Sequence, residues 1–143
     1  MIFKIITYCC LAFLTVSSVF SQDMIKAELE KKEKSLLSEK IDKFQITDVS
    51  QGEVAALVKS FLATKEKGGA YSVIWVAKNG VETADLNFNG GTIDELFNIL
   101  SQKFHVNIVL TDVGIYFYDG QVPEKVIQKK DGKKIYKIWK MKK

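Results

Sequence analysis

Apolar and polar positions along this chain follow two rhythms, and the points where one gives way to the other mark the elements. From Asp23 to Phe44, the apolar residues Ile25, Leu29, Leu36, Leu37, Ile41 and Phe44 fall near one face of a helix and Glu and Lys fill the rest. That is the rhythm of an amphipathic, largely solvated helix. Glu30–Lys34 and Glu39–Lys43 have the favourable i,i+4 order, worth a few tenths of a kcal/mol each. Such a helix is expected to dock weakly or act as a spacer, because Lys32 and Glu33 interrupt the seam that a coiled coil needs.

Phe44-Gln45-Ile46-Thr47 then reads as a strand, and Ser50-x-x-Glu53 as a capping box that starts a helix. Behind it Val54, Leu57, Val58, Phe61 and Leu62 give one apolar face, ended by Gly68-Gly69. Tyr71 to Ala77 is a β-branched and aromatic run. Asn79-Gly80 after it signals a two-residue hairpin into a strand over Val81 to Phe88, where Leu86 and Phe88 alternate with Asp85 and Asn87. The same devices recur: Asn89-Gly90-Gly91 turns, Thr92-x-x-Glu95 caps, and Ile93, Leu96, Phe97, Leu100 and Phe104 line a second helix. Val106 to Leu110 and Ile115 to Tyr118 follow as strands around Asp112-Val113-Gly114. Val122 to Gln128 and Ile135 to Met141 then read as a closing hairpin through Asp131-Gly132, with Lys-rich strands suited to a sheet edge.

The expected fold is therefore α+β, with two βαβ-type units in the order β-α-β-β-α-β-β over residues 44–120. A charged helix or spacer (22–43) precedes them and a Lys-rich C-terminal hairpin (121–143) follows. Ahead of these, Met1 to Lys4 is a short positive start, Ile5 to Phe20 an apolar run, and Val19-Phe20-Ser21 a small-residue cleavage signal. Residues 1–21 thus read as a secretory signal peptide, placing the protein in the periplasm, at the cell surface or outside the cell. The alternative, a retained membrane anchor, needs roughly 20 apolar residues, and Thr7, Thr15, Ser17 and Ser18 dilute this run. Tyr8 ahead of Cys9 argues against a lipoprotein.

Composition narrows the picture. The chain has 143 residues, 47% of them hydrophobic, with one Pro and one His, which suits an ordered globular domain. Its two cysteines, Cys9 and Cys10, lie in the expected signal, so the mature chain would have no disulfide. All 21 basic residues are Lys. Residues 22–120 hold eleven of them against fifteen acids, whereas 121–143 hold nine against two. The body is mildly acidic and the C-terminal end strongly basic.

Candidate chemistry is sparse. Asp85-x-Asn87-x-Asn89-Gly90 copies the opening of a calcium-binding EF-hand loop, but the twelfth position is Leu96 rather than Glu. A strand edge running into a turn is the simpler reading. His105 falls at a helix C-terminus, where a partly charged imidazole is favourable, and Ser101 lacks the glycines of a nucleophile elbow. Neither catalysis nor a metal or other cofactor is expected. In the tail, Lys129, Lys130, Lys133, Lys134 and Lys137, interleaved with Tyr136 and Trp139, are candidate contacts to an anionic lipid or cell-wall polymer. Nucleic acid is disfavoured, because an exported chain rarely meets it and no Arg supplies the bidentate phosphate fork.

Leu86-x-Phe88-x-Gly90-x-Thr92-Ile93-x-Glu95-Leu96-Phe97-x-Ile99-Leu100, followed by Val106-x-Ile108-Val109, resembles the second half of the secretin and TonB short N-terminal domain. The segment from Phe44 through the Ser50-capped helix to the Tyr71 strand resembles its first half. The resemblance spans roughly Phe44 to Tyr118 and is carried mainly by hydrophobic pattern. It implies two packed βαβ-type units without catalytic residues, in the periplasm, touching other envelope proteins. The expected function is a non-enzymatic, exported interaction module whose partner adds a strand to an open sheet edge; the alternative is attachment to an anionic surface through the basic hairpin.

Overall fold

The computed structural model describes residues 23–65, 69, 71–76, 82–127 and 134–142. The expected signal peptide, the Asn79-Gly80 and Asp131-Gly132 turns, and Lys129, Lys130 and Lys133 lie outside the described residues. The chain divides into two compact units, Met1–Lys32 and Glu33–Lys143. In the first, residues 23–32 are helical, and Met24 and Ile25 are exposed.

The architecture is α+β. Helix α1 covers residues 23–37, not the whole stretch to Phe44 that its periodicity predicts. Ser38 and Glu39 turn the chain, and strands β1 (Lys40–Ile41) and β2 (Phe44–Ser50) follow. Ile41 and Phe44, which helical spacing put on the α1 face, are thus strand residues of the core. Nor is the end of α1 a loose spacer within the second unit, since Leu36 is completely buried and Glu33 nearly so.

Beyond these come α2 (Gln51–Ala63), β3 (Ser72–Val76), β4 (Thr83–Phe88), β5 (Gly91–Thr92), α3 (Ile93–Lys103), β6 (Val106–Thr111) and β7 (Gly114–Asp119). Over 44–119 this is the expected strand-helix-strand-strand-helix-strand-strand order, with β5 as a two-residue addition before α3. Both capping boxes form: Ser50 and Thr92 each accept from the backbone N–H three residues on, and Glu53 and Glu95 reach back to the cap N–H groups.

Pairing departs from the local expectation. β3 does not fold back on β4; it pairs in parallel with β7, Ser72 opposite Gly114, while β4 pairs antiparallel with β2. The β2–β4 ladder is a separate two-stranded sheet, and β1 pairs with β5 in another. The largest sheet has the order β3-β7-β6-β8, where β8 is Ile135–Trp139. Among the described residues the C-terminal hairpin is likewise not formed. Glu124–Ile127 is a single helical turn, α4, and β8 pairs with β6. β3 and β8 flank β7 and β6, whose inward-facing residues form the centre of the core.

That core joins Val54, Val58 and Leu62 of α2, Ile93, Leu96, Phe97 and Leu100 of α3, and Ile108, Leu110, Ile115 and Phe117 of the large sheet. On α2, Leu57 is exposed and Ala55 takes the buried place assigned to it by spacing. Phe61 instead meets Phe44 edge to face at 5.0 Å. Gly114 is required where β3 and β7 meet, because a Cβ there would lie 2.6 Å from the Ser72 carbonyl oxygen.

Candidate functional site

The candidate contact residues lie in the basic tail. Trp139 is 4% exposed, so it is a core residue and not a surface aromatic. Its ring meets Phe97 edge to face at 5.1 Å, and its Nε1–H donates to Asp94 Oδ1 at 2.8 Å. Lys137 lies two residues earlier on the same face of β8 and places Nζ 2.6 Å from both Asp94 oxygens. One carboxylate in the first turn of α3 therefore takes up both residues, and as an anion near a helix N-terminus it is favourably placed.

The remaining described tail is held as closely. The Asp112 N–H donates to the Lys134 carbonyl, and the Asp112 carboxylate accepts from the Lys134 N–H. The Lys134 ammonium lies 4.8 Å from the Tyr136 ring centre. Gln102 donates to the Lys140 carbonyl and accepts from the Lys142 N–H, each at 2.9 Å. Buried Asn107 donates to the Gly120 carbonyl and accepts from the Met141 N–H at 3.1 Å. Ser101 is fully buried and donates to the Val106 carbonyl at 2.7 Å, which is a structural bond. Lys140 and Lys142 are exposed. Of the seven tail candidates, the structure brings Lys137 and Trp139 together on Asp94, and Lys134 onto Tyr136.

The other polar positions are also tied to the scaffold. Asp85 and Asn87 occupy alternate, exposed positions of β4. Asp85 Oδ1 accepts the Asp48 N–H at 2.6 Å, where β2 bulges between Ile46 and Val49 and Asp48 takes φ 52°. His105, at φ 50°, makes the sharp exit from α3 into β6. Just before it, the Phe104 carbonyl accepts from the buried Gln51 amide at 2.6 Å. His105, Lys103, Gln51 and Glu82 border an open hollow of about 360 Å³. Among the described residues no group of three or more His, Cys, Asp and Glu side chains is placed to hold a metal ion.

A buried polar contact fixes the end of α1. The Tyr71 hydroxyl donates to Glu33 Oε1 at 3.1 Å, and burial together with this carboxylate holds the phenol well above its usual pKa.

Among the described residues the large sheet ends at β3. Among the described residues β3 pairs only with β7, and its side chains alternate. Val73 and Trp75 pack against the core, while Ser72, Ile74 and Val76 face outward, Ile74 being 40% and Val76 42% exposed. The opposite edge, β8, carries Lys137 between Lys134 and Lys140. Charges on an edge discourage further pairing; β3 carries none. Sequence reading identified the β3 run as a strand but not as the edge, because the Asn79-Gly80 signal assigned it β4 as a neighbour.

No helix among the described residues is long and apolar enough to cross a membrane. No protein-family model, curated protein or solved structure matches the chain.

Proposed function

We propose that this chain is a non-enzymatic, exported interaction module of the cell envelope, built like the short N-terminal domain of secretins and TonB-dependent receptors. Its partner adds a strand to the β3 edge of the large sheet. The observation that carries this reading is the contrast between the two edges of that sheet, β8 bearing lysine and β3 neither charge, proline nor glycine. In strand addition, backbone hydrogen bonds supply affinity and the alternating side chains supply selection. Ile74 and Val76 offer such a row on the outward face. The element order over 44–119 supports the family resemblance, and the apolar start of the chain supports export.

Attachment to an anionic surface is the weaker reading. Lys137 is neutralised by Asp94 and Trp139 is in the core, so that surface would be met by Lys140, Lys142 and the other tail lysines. The test is affinity capture from an envelope fraction at low and moderate salt, with the unaltered chain and with Ile74→Lys. A partner retained at moderate salt and lost with Ile74→Lys is expected. Recovery of no specific partner at either salt would sink the reading, and capture that collapses with salt alone would transfer it to the lysines.

A further inference from the structure

We infer that Asn89 is a site of spontaneous covalent modification: its side-chain amide closes onto the Gly90 nitrogen, and the ring opens to aspartate or isoaspartate, the latter loosening the joint between β4 and β5.

The bonds that form and break all lie within two residues. The Gly90 backbone nitrogen gives up its proton and attacks the Asn89 side-chain carbonyl carbon. The new bond closes a five-membered succinimide, and the amide nitrogen departs with that proton as ammonia. Water then opens the ring on either side of its nitrogen. Breaking the bond to the former side-chain carbon leaves aspartate. Breaking the bond to the main-chain carbonyl carbon routes the chain through the side chain and leaves isoaspartate. One water is consumed in each case, and no oxidant or reductant takes part.

Three observations place this chemistry at Asn89. First, the residue after it has no Cβ to screen the attacking nitrogen, and Gly90 stands at φ 102°, a conformation that favours glycine. Second, Asn89 and Gly90 are both exposed and form the two-residue link between the end of β4 at Phe88 and the start of β5 at Gly91. Third, among the described residues neither the Asn89 amide nor the Gly90 N–H has a hydrogen-bond partner, so no such bond must break before the ring closes. The other described asparagines are placed differently. Asn87 precedes Phe88 within β4, and Asn98 precedes Ile99 within α3. Buried Asn107 precedes Ile108, and its amide is bonded to Gly120 and Met141.

The surroundings give the change a consequence, because the link is held at both ends. Phe88 is buried opposite Phe44. Gly91 pairs with Ile41 in so little room that a Cβ on it would lie 2.5 Å from Glu95 Oε2 and 2.6 Å from the Phe88 ring. Isoaspartate inserts one extra methylene into the main chain between these fixed points. Either Phe88 or β5, with the Thr92 cap of α3, must then shift. Aspartate adds a charge at an exposed position and leaves the main chain as it was.

The test incubates the full chain at mildly alkaline pH, folded in buffer and, in parallel, unfolded in urea. Peptide mass spectrometry, with chromatography to separate aspartate from isoaspartate, reads each asparagine by its gain of about 1 Da on losing the thermolabile amide. Conversion at Asn89 in the folded chain is expected within about tenfold of its rate in urea, with Asn87, Asn98 and Asn107 intact. Asn89→Gln, whose side chain would have to close a six-membered ring, should cut conversion at this position by about tenfold or more. In thermal unfolding, Asn89→Asp should melt with the unaltered chain and the isolated isoaspartyl fraction below both. An Asn89 that converts in urea but stays intact in the folded chain would overturn the inference, because the fold would then protect it. Conversion at Asn87 or Asn98 as fast as at Asn89 would overturn it too. An isoaspartyl fraction that melts with Asn89→Asp would refute the loosening of the joint.

Discussion

Asp94 shows how much a single side chain can decide. It accepts from the Trp139 indole and from the Lys137 ammonium, and so closes the last strand over α3. The two bonds differ in worth. The Lys137 pair is partly exposed and contributes little, whereas the buried indole N–H would be left without an acceptor if Asp94 were removed. Asp94→Ala is therefore expected to cost about 1–3 kcal/mol in chemical denaturation. Asp94→Asn, which keeps an oxygen for the indole, should cost clearly less. Equal losses would mean that the lysine, and not the tryptophan, is what Asp94 holds. The sequence showed Asp94 only as one acid beside the Thr92 cap. Its partners lie more than forty residues away, and that distance is why Lys137 and Trp139 read as surface groups.

At the scale of elements, the two capped helices were legible, whereas the end of α1, the turn α4 and the partner of β3 were not. A capping box is a local device, complete within four residues, and both appeared where Ser50 and Thr92 announced them. Strand pairing is settled by burial over the whole chain, and the Asn79-Gly80 signal describes only what its neighbours would do alone. The caps also give a pH dependence. Bonds from the Ser50 N–H and hydroxyl hold the Glu53 carboxyl below its ordinary pKa of 4.5. A lowered folded pKa means that the stabilisation is complete above that ordinary value and is lost as pH falls through the lowered one. Ser50→Ala should cost about 1 kcal/mol near neutral pH, and the gap from the unaltered chain should narrow in acid below about pH 4.5. A gap constant into strong acid would show that Glu53 plays no part in the cap.

For the molecule as a whole, the basic end is part of the domain and not an appendage to it. A chain stopped after Gly120 loses β8, and with it Trp139 from beside Phe97 and the strand beside β6. Removing a large buried aromatic alone costs about 3–5 kcal/mol, a large share of the 5–15 kcal/mol typical of a domain. The truncated chain is expected to show a broadened or absent thermal transition. A sharp, unshifted transition would restore the tail to the status of an independent hairpin. The parallel pairing of β3 with β7 also sets an order of events during synthesis. Emerging from its N-terminus, the chain presents Ser72–Val76 before Gly114–Asp119 exists to receive it. Until then this uncharged strand lacks the neighbour it has in the folded chain. The interval between the appearance of β3 and the arrival of β7 is the time of greatest exposure to premature association, and a chaperone that shields extended apolar segments would act at that stage.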